Sequence, residues 1–103
     1  MAEWICFLHA PRDDFAATMT EHEQQAFADH FERLQRLVSE GVVVLAGPTL
    51  GRVNTGIMIF EAPDEDSARR LVDEDPTVTA GITTPELRPF RLSLLRGRDA
   101  PHR

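Results

Sequence analysis

His30 is the residue of this sequence best suited to move a proton. It lies three residues after Phe27 and four before Leu34, so it shares the apolar stripe of a predicted helix and should face the edge of the core. Imidazole is the side chain that most readily changes charge near neutral pH, which suits it to general acid–base catalysis. The alternative is a partly buried histidine held by one backbone hydrogen bond, and position alone favours that alternative.

Asp75 is the second candidate, because it is predicted to end a helix at the pole where the helix dipole disfavours a carboxylate. The alternative is that Asp75–Pro76 only stops the helix and begins a turn. If the two side chains meet, Asp75 can accept a hydrogen bond from one imidazole nitrogen of His30 and leave the other nitrogen to act on a substrate. If packed apolar side chains separate them, a non-catalytic binding or regulatory module is favoured instead.

The remaining reactive residue types give weaker signals. Cys6 lies in an apolar run and is predicted to be a buried core thiol, and a single cysteine excludes an internal disulfide. His22 is expected in solvent, about 12 Å from His30 along the helix axis, which is too far for a shared metal ion. No metal or other cofactor is predicted. His9 follows the first strand and is expected at the mouth of a site. Without a serine or cysteine nucleophile, lyase or isomerase chemistry fits best.

The elements that must position these residues follow from the pattern of apolar residues. Short apolar runs and two segments of helical period predict the order β-α-β-β-α-β. The helix that carries His30 begins at Thr20, which has capping-box spacing to Glu23, and ends at Gly41. Residues 9–19 and 77–87 are predicted loops. The predicted strands are residues 3–8, 42–46, 56–61 and the alternating Phe90, Leu92 and Leu94, and the second helix runs from its cap at Asp64 to Pro76.

This order predicts an α+β, ferredoxin-like fold, with an antiparallel sheet and two helices on one face. The first and third strands are apolar on both faces, as Trp4 and Ile5 or Ile57 and Met58 illustrate. Two helices cover only one face, so we expect a homodimer packed sheet on sheet. A monomer with one apolar groove is the alternative. A single domain over residues 1–95 and a frayed tail over residues 96–103 are predicted.

Composition limits the classes of partner. The chain has 103 residues and a net charge of −6, which argues against a nucleic-acid-binding module. No apolar run approaches the roughly 20 residues of a membrane helix, and the chain begins without a signal-peptide pattern. We therefore expect a cytoplasmic protein that binds a small molecule and no membrane.

The order and spacing of several short motifs resemble the YCII-related (YciI-like) family over roughly residues 4–95. The most specific parts are a histidine eleven residues before a glycine, an Ala-Gly-Pro and an Asp-Pro. The residues that carry the resemblance are His30, Leu34, Leu37, Gly41, Leu45–Ala46–Gly47–Pro48, Asp75–Pro76, Ala80–Gly81 and Pro89–Phe90.

The resemblance implies a dimeric α+β barrel in which His30 and Asp75 form a catalytic pair. Together with this pair, His9, Pro48 and Gly81 are predicted to bind substrate. Most members of the family have no assigned reaction, and one branch is similar to dehydrochlorinases acting on chlorinated hydroxyhydroquinones. Thr77 departs from the family pattern, which usually has an aromatic residue after Asp-Pro, and this bears on pocket shape and substrate.

Overall fold

A computed structural model describes residues 1–97 of the chain and confirms the predicted α+β, ferredoxin-like fold. One four-stranded antiparallel sheet has the strand order β2-β3-β1-β4, with β1 and β3 in the middle. Most of the predicted tail, residues 98–103, lies outside the described residues. In chain order the elements are β1 (Ala2–His9), α1 (Phe15–Thr18), α2 (Glu21–Ser39), β2 (Val43–Pro48), β3 (Thr55–Ala62), α3 (Glu65–Asp73), α4 (Pro76–Thr79) and β4 (Thr84–Phe90).

Both ends of α2 are fixed by the residues that the sequence pattern indicates. The Thr20 hydroxyl accepts a hydrogen bond from the Glu23 backbone, and the Glu23 carboxylate accepts one from the Thr20 backbone. At the other end Gly41 has a φ of 78°, the left-handed conformation in which its N–H donates to the Val38 carbonyl. These two caps fix where His30 stands on the helix.

The core lies between the helices and one face of the sheet. Trp4, Cys6 and Leu8 of β1 point to this face, and Met58 and Phe60 lie beside them on β3. Side chains of α2 and α3 complete the same cluster. The helices therefore cover one face of the sheet, as predicted.

The opposite face of the sheet is also apolar at its centre. We call it the open face, and define it by Ile5 and Phe7 of β1, Ile59 of β3 and Leu45 of β2. Ile59 is buried, whereas Leu45 is among the exposed large apolar residues. The prediction that the central strands are apolar on both faces is therefore confirmed.

Two short helices interrupt segments that were predicted to be loops. The first is α1, which is held in place because Phe15 is buried against Phe27 and the Ala16 N–H donates to the Asn54 side chain at 2.9 Å. The second is α4, which begins with Pro76 at its first position. Helices of four residues are not stable on their own propensity, so such tertiary contacts decide whether they form.

The last strand lies earlier in the chain than predicted. β4 ends at Phe90, and neither Leu92 nor Leu94 is part of a strand. Pro85 and Pro89 of β4 discourage a strand assignment, but β4 is an edge strand, where a residue without an N–H is tolerated. No helix within residues 1–97 is long and apolar enough to cross a membrane.

Candidate active site

A cavity of about 630 Å³ lies between α2 and the strands β2 and β3, with α1 at one end. Its lining is mostly apolar, and among residues 1–97 it includes no Asp, Glu, Lys or Arg. The lining amide of Asn54 already bonds to the Thr49 and Gly51 carbonyls and to the Ala16 N–H. His30 is thus the titratable side chain that this cavity offers to a ligand.

The apolar stripe of α2 divides between the core and this cavity. Leu37 is buried in the core, whereas Phe31 and Val38 are exposed at the cavity rim. Phe31 and Val38 share the helical period of the apolar residues of α2 but are not part of the core. The apolar surface of α2 extends beyond the part that packs in the core, because α2 also forms one wall of the cavity.

His30 and Asp75 are in direct contact. The His30 Nδ1 atom lies 2.5 Å from the Asp75 Oδ2 atom, and the two side chains are only 14% and 5% exposed. The ring of Phe27 meets the imidazole edge-on, with centroids 5.4 Å apart. Since Nδ1 is engaged by Asp75, Nε2 is the nitrogen left to a ligand in the cavity.

Asp75 was predicted to lie at the C-terminal end of a helix, where the helix dipole disfavours a carboxylate, and this was wrong. α3 ends at Asp73 with Glu74 as its C-cap, and Asp75 is instead the N-cap of α4. Its Oδ1 atom accepts hydrogen bonds from the Thr77 N–H at 2.9 Å and from the Thr77 hydroxyl at 2.7 Å. The placement is therefore favourable to a carboxylate.

The two oxygens of Asp75 have different partners. Oδ1 is held by Thr77, whose hydroxyl also contacts that of Thr83 at 2.9 Å, and Oδ2 is left to His30. Thr77 is fully buried and is not among the cavity-lining residues, so its departure from the family pattern acts on the carboxylate rather than on the cavity wall.

The charge of Asp75 decides which imidazole nitrogen carries the hydrogen. Burial acts to raise the pKa of the Asp75 carboxyl, but the hydrogen bond and charge of His30 and the hydrogen bonds from Thr77 outweigh it, and the pKa lies below its ordinary value. An ionised carboxylate only accepts hydrogen bonds. In a neutral His30 the hydrogen is therefore on Nδ1, and Nε2 has the free lone pair of a base.

A partly buried arginine, Arg33, lies beside this pair and was not identified from the sequence. Its Nη1 atom lies 3.7 Å from Asp75 Oδ2, and its Nη2 atom donates to the Leu71 carbonyl at 2.8 Å. The available signal was its position three residues after His30, which puts both side chains on one face of α2.

The other predicted site residues are scattered. Pro48 lines the cavity with His30. His9 projects from the open face, where its Nε2 atom lies 2.9 Å from a Glu86 carboxylate oxygen, and Gly81 follows α4 away from the lining residues. The structure therefore brings together His30, Asp75 and Pro48 but not His9 or Gly81.

Cys6 and His22 lie where the sequence predicts. Cys6 is fully buried, and burial raises the pKa of its thiol to about 12. His22 is exposed near the start of α2. Within residues 1–97, no group of three His, Cys, Asp or Glu side chains is arranged to hold a metal ion.

Comparisons with known proteins agree with the resemblance seen in the sequence. A family model for the YCII-related domain matches residues 4–91. Among solved structures, the chain is similar to 5-chloro-2-hydroxyhydroquinone dehydrochlorinase (TftG) from Burkholderia phenoliruptrix AC1100, in complex with 2,5-dihydroxybenzoquinone. The identity is 20%, the match covers 85% of this chain and 93% of that chain, and the TM-score is 0.65, which shows a shared fold. No curated protein sequence matches the chain.

Proposed function

The chain belongs to the YCII-related family, and on that premise we propose that it is an acid–base enzyme that removes a proton from a small organic molecule. The observation that carries the proposal is the 2.5 Å contact between His30 and Asp75 at a cavity that His30 itself lines. Burial of an ionised carboxylate such as Asp75 is costly unless it is paired. A histidine that only filled space in the core would not need such a partner.

In the proposed reaction the His30 Nε2 atom accepts a proton from the substrate. The electron pair of the broken bond forms a double bond, and in a lyase reaction a leaving group departs with its own bonding pair. Asp75 stabilises the imidazolium that forms, and the proton is later released to solvent or, in an isomerase reaction, returned at another substrate atom. General base catalysis of this kind contributes roughly 10²–10⁴-fold to a rate.

The cavity favours a small, uncharged molecule as substrate. Because the lining formed by residues 1–97 has no Asp, Glu, Lys or Arg, it offers no charged partner to a phosphate or a nucleotide. A volume of about 630 Å³ is in the range of small-molecule sites. A chlorinated hydroxyhydroquinone, the kind of compound named for TftG, meets both limits and is the first substrate to test.

The test is chloride release from 5-chloro-2-hydroxyhydroquinone by the wild type, His30→Gln, Asp75→Asn and the double variant. We expect each single change to lower kcat by at least about 10²-fold, with little further loss in the double variant because the two residues act as a unit. His22→Gln is the matched control, since His22 is an exposed histidine of the same helix. Full activity of His30→Gln would contradict the proposal.

The alternative is a non-catalytic small-molecule-binding or regulatory module. The observation in its favour is that the described cavity lining has no charged group to stabilise an oxyanion that develops during a reaction. NMR-monitored binding of 2,5-dihydroxybenzoquinone separates the two: binding by the wild type and by His30→Gln alike, with no turnover of any chlorinated relative, would favour the module.

We also propose a homodimer formed through the open face. The support is that Ile5, Phe7 and Leu45 form an apolar surface that none of the four helices in residues 1–97 covers. A second copy of the sheet would bury such a surface with matching shape and polarity. A cytoplasmic location remains a prediction.

A further inference from the structure

The guanidinium of Arg33 is mostly shielded from solvent and incompletely bonded. Its side chain is 13% exposed, and one Nη2 hydrogen bond reaches the Leu71 carbonyl at the end of α3. The Nη1 atom is buried and has no hydrogen-bond partner, although it faces Asp75 Oδ2 at 3.7 Å. Arginine is seldom buried without full pairing, because desolvation of its charge is costly. The arrangement therefore calls for an explanation other than stability.

Arg33 and His30 point to the same oxygen atom. They are one helical turn apart on α2, and Asp75 Oδ2 lies 2.5 Å from His30 Nδ1 and 3.7 Å from Arg33 Nη1. The two nitrogen atoms are therefore no more than about 6 Å apart. A like charge at that distance disfavours protonation of a histidine.

We propose that Arg33 is a positioning residue that keeps His30 in its neutral, proton-accepting form by sharing the Asp75 carboxylate with it. The Asp75 carboxylate attracts an imidazolium, and a base that is already protonated cannot accept a substrate proton. Arg33 offsets part of the attraction between His30 and Asp75. Its hydrogen bond to the Leu71 carbonyl fixes the guanidinium in place, so that the offset is built into the packing of α2 on α3.

The other charged groups around His30 do not supply this effect. Glu74 approaches Arg33 at 3.8 Å, but its side chain is 69% exposed and its charge is screened by solvent. Cys6, on the neighbouring strand β1, stays a neutral thiol because burial raises its pKa to about 12. The elements α4 and β2, which pack against α2, contain no titratable side chain. No cation of residues 1–97 other than Arg33 and His30 pairs with Asp75.

NMR titration of the histidine side chains tests the proposal without any substrate. In Arg33→Gln the titration midpoint of His30 should rise by about 1 pH unit, and Arg33→Lys, which keeps the charge, should stay within about 0.3 unit of the wild type. Arg36→Gln is the matched control, because Arg36 is on the same helix but 59% exposed and paired with Glu40. It should leave the midpoint unchanged.

An unchanged or lowered His30 midpoint in folded Arg33→Gln would overturn the proposal and leave Arg33 a structural clamp. If Arg33→Gln does not fold, Arg33→Met removes the same charge and retains the apolar stem, and the same midpoint decides.

The consequence for catalysis rests on the proposed function: in Arg33→Gln the acidic limb of the pH profile of kcat should move up by the same amount, with KM unchanged at high pH. Absence of turnover in every protein would refute the proposed function, whereas the midpoint alone decides on Arg33.

Discussion

Replacement of Asp75 by asparagine is the sharpest test of the site, because it keeps the size of the side chain and removes the charge. His30 Nδ1 and Asp75 Oδ2 are 2.5 Å apart and the two side chains are 14% and 5% exposed, so solvent screens their interaction little. A hydrogen bond to a charged group contributes about 1.5–3 kcal/mol. Since 1.36 kcal/mol corresponds to one pKa unit, the titration midpoint of His30 should fall by about 1 to 2 pH units in Asp75→Asn.

The assay is NMR detection of the imidazole nitrogens from about pH 4 to about pH 9, a range that covers the titration of histidine side chains. The chain has four histidines, and His30→Gln identifies the signals of the one in question. Asp73→Asn is the matched control, since Asp73 is an exposed carboxylate two residues away at the end of α3. A His30 midpoint that is the same in Asp75→Asn and in the wild type would refute the reasoning.

The same variant makes a prediction about stability and pH. The pKa of Asp75 is lower in the folded protein than its ordinary value, so its ionised form stabilises the fold above the unfolded pKa, near 3.9, and that stabilisation is lost as pH falls through the lower folded pKa. Urea unfolding of the wild type and of Asp75→Asn should therefore differ most near neutral pH. The difference should shrink as the pH falls below about 4.

Three further predictions concern the surroundings of the site. Thr77→Val should lower the free energy of unfolding by about 1–3 kcal/mol, since a buried hydroxyl donor to Asp75 is lost, whereas Thr79→Val, at an exposed position of the same helix, should cost less in the same urea titration. Cys6 should react slowly with a thiol reagent in the native protein and fast in denaturant, because its pKa of about 12 leaves almost no thiolate. Sedimentation at micromolar concentration should give a dimer that Ile5→Asp dissociates; an 11.6 kDa species alone for the wild type would contradict the dimer.

The parts of the fold that could be predicted from the sequence are those set by local signals. Thr20, Glu23 and Gly41 define α2 through hydrogen bonds between residues at most a few positions apart, and such spacings are visible in the chain. The apolar runs of β1 and β3 were equally visible, and the order of the elements led to the correct ferredoxin-like fold. β4 was misplaced because Pro85 and Pro89 are acceptable only at a sheet edge, which local patterns do not reveal.

The contact between His30 and Asp75 was predictable only in part. The stripe of α2 indicated that His30 faces inward, but the same stripe concealed the cavity, since apolar residues that line a pocket and those that fill a core have the same periodicity. The role of Asp75 was deduced from an unfavourable helix position that it does not occupy. The pairing itself depends on the α3–α4 junction, which contains Asp75, packing against α2. Asp75 and His30 are 45 residues apart in the sequence, so no local pattern reveals their contact.

That junction explains why Asp75 can face both His30 and Arg33 without moving toward either. Its Oδ1 atom is anchored by two hydrogen bonds from Thr77, one of them from the backbone, so the carboxylate plane is fixed by α4 before His30 or Arg33 is considered. Only Oδ2 remains for the two nitrogens, and neither can draw the carboxylate away without breaking the cap of α4. The short sequence Asp75–Pro76–Thr77 thus combines a helix start with the orientation of a site carboxylate. This is a physical reason for a threonine at position 77, since an aromatic side chain offers no hydroxyl at the β-carbon to hold Oδ1.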